Sequence, residues 1–279
     1  MYFGLSEDQI FFQENVSKFL EDQANLDTIR AITEGEAENT RKELNTGLVN
    51  LGLNSLLIPE EFGGLGLDLL FATAVSQSLG GGVAPISFTG SYIMAPLAIS
   101  HGGSNEQKNK YLTQMSENKI RFGVGFSEFI GARDNSSIEI KDGKISGRAF
   151  FVLDAKNASH LMFSDKNGVI GVVLSNSSGL EVIELTTVDK TRSYSEIKLD
   201  NVDVDVLKQT ISSKDAINKS IDAGRIILAA DSIGASQILI NKSLAVSYTN
   251  LRAHQTEAEL VCRHLLEKKK GGGGGGGGG

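Results

Sequence analysis

The sequence contains a single cysteine, Cys262, in 279 residues. An intrachain disulfide needs two cysteines and a thiolate metal site needs several, so neither is expected. Histidine is also scarce, confined to His101, His160, His254 and His264, and no metal site is expected. Clustered positive charge is missing too. The 27 Lys and Arg lie scattered among 34 Asp and Glu, for a net charge of -7 and a pI near 5.2. Without a basic patch there is no electrostatic footprint for a phosphate backbone, which argues against a nucleic-acid partner. The opening MYFGLSEDQIFF carries acids where a signal peptide has a basic stretch, and no apolar run approaches the roughly 18 residues of a membrane span. The expectation is a cytoplasmic chain with no membrane span.

What is present is enough for buried cores: 40% of the residues are hydrophobic, and the length favours about two domains. The C-terminus stands apart. Gly271 to Gly279 are unbroken glycine after Lys268, Lys269 and Lys270, with no side chains to pack and a large ordering entropy. The stretch before them, SYTNLRAHQTEAELVCRHLLEKKK, resembles the conceptual translation of a sequencing-adapter read-through. Residues 247–279 are therefore expected to be a non-native tail with few contacts and a disordered polyglycine end; an amphipathic helix with a flexible linker is the alternative. Either reading removes Cys262, His254 and His264 as functional candidates.

Before that junction the periodicity divides the chain into three blocks. Residues 1–120 read as an all-helical domain. Ser6 with Gln9 forms a capping box ahead of Phe12, Val16, Phe19 and Leu20, and Thr40 with Glu43 repeats the pattern ahead of Leu44, Leu48 and Leu51. Phe71, Val75 and Leu79 mark another face, Ser87 to Ser100 reads as a buried helix, and Ser104 with Gln107 caps a helix carrying Tyr111 and Leu112. From residue 121 the period becomes two. Asp142-Gly143 and Asn167-Gly168 sit between β-rich runs as hairpin signals, and YSEIKLDNVDV alternates, so residues 121–206 should form an antiparallel β-domain. Residues 207–246 return to helix, with Ile226, Ala230, Ile233, Ile240 and Leu244 on one face. The fold class is α+β: an N-terminal helical bundle, a middle antiparallel β-domain and the start of a C-terminal helical domain.

Isolated motifs carry little chemistry. Gly63-Gly64, Gly80 to Gly82 and Gly102-Gly103 lack the strand-to-helix placement and the Lys-Ser/Thr of a phosphate loop, and read as turns and helix ends. His101 completes a helix C-terminus, and His160, near a strand start, is read as structural.

Motif order goes further. LIPEEFGGLGLD, residues 57–68, closely resembles the "peGG.G" element of the acyl-CoA dehydrogenases, and the GGSNEQKNKYLTQMSENKIRFGVGFSE run from Gly102 is similar to that family's "Gs.eqk..yLp.l..Ge...a.a.tE". SEFIGARD, residues 127–134, resembles "TEP.aGSD", and SGRAFFVLDAKNASHLM resembles "G.K.wItna..Ad". The resemblance covers about residues 4–246. FVLDA, DKTRSYSEIKLDNVDV and LGGGVAPISF look more like the bacterial branch that includes heteromeric steroid-side-chain enzymes.

The resemblance implies FAD, held between the β-domain and the helices. Phe126 and Ser127 correspond to residues at the isoalloxazine, Ala132 and Arg133 to the pyrophosphate turn, and Phe151, Val152 and Leu153 to a wall against the ring. Departures fall in the same places: Phe129 stands for Pro, Ala132 for Gly, Arg133 for Ser, and Leu153 lacks the usual hydroxyl. Arg133 could meet phosphate through charge-assisted bonds. The implied reaction is α,β-dehydrogenation of an acyl-CoA thioester, in lipid or steroid catabolism, with an electron-transfer flavoprotein or similar acceptor and a homo- or hetero-oligomeric intact protein. A carboxylate removes the α-proton in such a reaction. In a minority branch that Glu directly precedes an Arg on the first C-terminal helix, but here Gly224 precedes Arg225, so no catalytic residue is assigned. A fragment cut near Val246 is expected to be inactive alone and to hold flavin weakly. The alternatives are a flavin monooxygenase or oxidase on the same fold, since fold does not fix chemistry, and a non-catalytic partner subunit of a heteromeric dehydrogenase.

Overall fold

The computed structural model describes residues 4–131, 137–208 and 213–271, with 248–271 in backbone only. Two compact units are present, Met1–Ala235 and Ser236–Gly279. The first begins with α1 (Glu7–Gln23), α2 (Leu26–Glu34) and α3 (Glu38–Asn50). Ser6 closes the expected capping box with Gln9. Thr40 does not cap: α3 starts two residues before it, at Glu38, after Ala37, which has no side-chain acceptor. The first turn is stabilised instead by the Glu38 carboxylate, which accepts two bonds from Arg41 at 2.8 and 2.6 Å. A Thr-x-x-Glu spacing fits inside a helix as well as before one.

Next come α4 (Leu69–Gly81), a π-helical segment Phe88–Met94, α5 (Ala95–Gly102) and α6 (Asn105–Ser116), the last with the expected Ser104–Gln107 box. Every residue of the π-helical segment is buried. The expected faces of α1, α3 and α4 meet in one core, where Val16, Leu20, Leu44, Leu48, Val75 and Leu79 are buried together, and Tyr111 and Leu112 of α6 join a second.

Among the described residues eight strands follow: β1 (Phe122–Gly125), β2 (Ser137–Lys141), β3 (Lys144–Leu153), β4 (His160–Ser164), β5 (Ile170–Leu174), β6 (Leu180–Glu184), β7 (Tyr194–Asp203) and β8 (Asp205–Val206). Their order is β6-β7-β3-β1-β4-β5-β8, with β2 added on β3. Asp142 and Gly143, both at positive φ (51° and 74°), make the tight turn joining β2 to β3. Asn167-Gly168 belongs to a longer loop in which Asp165 Oδ1 accepts from the amides of Asn167 (2.8 Å) and Val169 (2.9 Å). The sheet is mixed where alternation alone suggested purely antiparallel pairing: β1 and β4 run parallel. The chain leaves β3 on one side of β1 and turns back over residues 154–159 to lay β4 on the other side. A strand antiparallel to β3 at that place is necessarily parallel to β1.

The last described element, α7 (Ser213–Gly271), continues without a break through Val246 and Ser247. Residues 272–279, most of the polyglycine run, lie outside the described residues. The face α7 buries differs from the one expected. Ile217, Ile221, Ala223, Ile227 and Ala230 are buried, whereas of the expected stripe only Ala230 is, with Ile233 58% exposed and Ile226, Ile240 and Leu244 exposed as well. Backbone proximity decides this. A Cβ on Gly80 would lie 2.0 Å from Asp231 O, and one on Gly234 would lie 1.9 Å from Gln77 O, so α4 and α7 touch through their small residues. By length and composition the stretch Lys214–Ser247 is apolar enough to cross a membrane, although its N-terminal part packs in the cores of the helical and β-regions.

Candidate functional site

Adjacent strands bring the sequence-predicted residues together. Val124 of β1 pairs with Leu153 of β3, so Phe126 and Ser127, just beyond β1, lie alongside Phe150 to Leu153. Ser127 Oγ accepts the Phe150 amide at 3.3 Å, and a hydroxyl accepting this way still carries a hydrogen to donate. Ala132 and Arg133 lie outside the described residues.

A β-bulge then breaks the alternation of β3. Ala149 pairs with Ile197 and Val152 with Ser195, so Phe150 and Phe151 together face the single residue Glu196. Phe151 takes φ 54°, an uncommon backbone for a bulky residue, and its side chain is 47% exposed. Val152 is turned into the β-domain core with Ile197, and Phe126 into the core between sheet and helices. Their side chains are committed to packing. Leu153, partly buried, packs against the same core as Phe126.

At the end of β3 lies a group that the motifs did not single out. Asp154 is buried, and its Oδ2 accepts the amides of Gly90 (2.8 Å) and Ser91 (3.0 Å) in the π-helical segment. Gly90 is required there, since a Cβ would sit 2.6 Å from that oxygen. Burial raises the Asp154 pKa to about 6, against the opposing pull of the two amides and the charge of Arg192. Arg192 pairs with Asp231 of α7 at 2.5 Å, and burial holds Asp231 above the usual carboxylate range. Leu153, Phe88, Tyr194 and Leu228 surround a small void of about 20 Å³ beside these charges. The only sequence trace of Asp154 is a lone carboxylate ending the apolar run FFVLD.

The remaining candidates have structural roles. His160 Nδ1 lies 3.0 Å from Ser159 Oγ, and its ring packs 5.2 Å from Phe122 and 5.8 Å from Tyr111; burial lowers its pKa. His101 sits in the last turn of α5, its pKa lowered by burial and then by Lys219 and Lys108. Gly224 packs on Met94, whose Sδ would be 2.8 Å from a Cβ, and Arg225 pairs with Asp222 at 2.9 Å. Among the described residues no cluster of His, Cys, Asp and Glu could hold a metal.

Residues 6–119 match the family model described as acyl-CoA dehydrogenase, N-terminal domain. The chain is 30% identical over 137 residues to the acyl-CoA dehydrogenase IpdE2 of Mycolicibacterium smegmatis, covering 49% of this chain and 42% of that protein. It is 33% identical over 106 residues to (2S)-methylsuccinyl-CoA dehydrogenase of Cereibacter sphaeroides, covering 36% and 19%. The chain thus spans less than half the length of these relatives. Its fold is similar to that of a glutaryl-coenzyme A dehydrogenase solved with glutaryl-CoA, at TM-score 0.73 and 22% identity over 88% of this chain and 67% of the other. It is likewise similar to PigA solved with FAD and proline, at TM-score 0.72 and 18% identity over 88% and 69%.

Proposed function

We propose that this chain, which belongs to the acyl-CoA dehydrogenase family, serves the flavin-dependent α,β-dehydrogenation of an acyl-CoA thioester. The observation that carries this reading is the bulge at Phe150 and Phe151, which leaves the Phe151 side chain exposed next to the Phe150 amide that donates to Ser127 Oγ. An isoalloxazine ring needs a flat apolar face and a few polar contacts, and the residues present fit those needs. Phe151 supplies a stacking surface and Leu153 an aliphatic edge, and both exclude water. Ser127 can donate its hydrogen to a ring heteroatom. Phe126 and Val152, whose side chains are packed inward, would contribute through their backbone. FAD, when bound, supplies the hydride acceptor.

No described residue is assigned as the acceptor of the substrate's α-proton. Asp154 turns Oδ2 to Gly90 and Ser91, and position 224 is a glycine in contact with Met94. That second contact also favours another reading, a non-catalytic partner subunit within a heteromeric dehydrogenase. An electron-transfer flavoprotein or similar acceptor and an oligomeric assembly complete the proposal.

Titrating FAD into the purified chain while following flavin fluorescence tests the binding face. Phe151→Ala is expected to weaken binding about tenfold, or about 1.4 kcal/mol, relative to Lys198→Gln. Equal affinity in the two variants, or no saturable binding, would count against it. Turnover of octanoyl-, butyryl- or steroid-side-chain CoA with an artificial acceptor would exclude the non-catalytic reading.

A further inference from the structure

A cavity of about 370 Å³ is lined by none of the residues proposed to bind flavin. Its walls are α3, the segment before the π-helix, Arg121 at the start of β1, and the β3–β4 turn. Although the chain carries a net charge of -7, this cavity holds four cations, Arg41, Lys42, Arg121 and Lys156, against two carboxylates, Glu38 and Asp154.

The partners of these charges are unevenly distributed. Arg41 is held by both oxygens of Glu38, and Lys156 pairs with Glu184 at 3.0 Å. Asp154 is directed at the Gly90 and Ser91 amides. Lys42 and Arg121 have no carboxylate within ion-pair distance among the described residues; Arg121 Nε reaches only the neutral Asn118 Oδ1 at 3.3 Å. Two unneutralised cations in one concave site match a dianion, and a phosphate monoester carries about -1.5 to -2 charges at neutral pH. The volume lies at the low end of the roughly 300–1,000 Å³ of small-molecule pockets.

We propose that this cavity binds a small phosphate monoester, its phosphoryl group held by Lys42 and Arg121 and the remainder set against Asn45 and Ser87. Calorimetric titration of the full chain with AMP and with inorganic phosphate at low ionic strength tests it. Saturable AMP binding is expected, weakened about tenfold or more by Lys42→Gln and by Arg121→Gln and unchanged by Lys198→Gln, whose ammonium pairs with Glu181 elsewhere. Lys42 is exposed, so its variant decides the matter even where Arg121→Gln disturbs folding. No saturable binding of either probe, or AMP affinity unchanged in Lys42→Gln, overturns the proposal.

Discussion

Two bulges interrupt the ladder between β3 and β7, and they differ in what occupies them. In one, Asp200 and Asn201 of β7 face the single residue Ser146; Asn201 takes φ 51° and its amide donates to Ser146 Oγ at 2.9 Å. Asparagine enters the left-handed region readily, so this bulge carries little strain. In the other, Phe151 takes φ 54°, a backbone uncommon for a bulky side chain. Strain of about 1–3 kcal/mol persists only where the surroundings enforce it, and such outliers gather at functional sites. The first bulge lies within the ladder, which continues through Ile145–Val202 and Lys144–Asp203, whereas the second leaves an aromatic side chain exposed.

Removing the packing between them gives the largest expected effect. Ile197 pairs with Ala149 between the two bulges and is fully buried. Ile197→Ala is expected to lower stability by about 2–5 kcal/mol, read from the urea midpoint; a loss below about 1 kcal/mol would mean that the bulges hold their geometry without this core.

Asp154 comes next, through pH. Its folded pKa is raised from 3.8 to about 6. The contribution of this group to stability is therefore fully present below pH 3.8 and is lost as pH rises through about 6. That change amounts to about 3 kcal/mol at 1.36 kcal/mol per pKa unit. Asp154→Asn keeps an acceptor for Gly90 and Ser91 but cannot ionise. Its stability relative to wild type should rise between pH 4 and pH 7, and a flat difference across that range would show that the carboxylate is not desolvated as described.

The two bulges themselves can be compared directly. Phe151→Gly should relieve the backbone and stabilise the fold by about 1 kcal/mol while weakening FAD. Asn201→Gly should change stability by only a few tenths of a kcal/mol. If both shift the melting temperature equally, the distinction drawn between strained and unstrained bulges fails.

Much of the fold was legible because its determinants are local. Ser6 with Gln9, Ser104 with Gln107, and Asp142 with Gly143 act within a few residues of themselves, and each formed the expected element. Thr40 shows the limit of that reasoning, since its pattern is satisfied equally well within a helix. The candidate site was legible mainly through resemblance to a known family. The alternation of β3 points to a strand but not to the bulge that turns Phe151 out and Val152 in.

Order along the chain, the Ser6 and Ser104 caps and the Asp142-Gly143 turn were therefore determined by the sequence alone, because neighbouring residues compete for the same backbone hydrogen bonds. The buried face of α7, the parallel β1–β4 pair and the cradle of Asp154 were decided only in the tertiary structure. Gly90 and Asp154 are separated by 64 positions, and Gly80 matters only because the α7 backbone arrives against it. Close approach between distant segments depends on the absence of a Cβ at the point where they meet, and no local pattern records where that point will be.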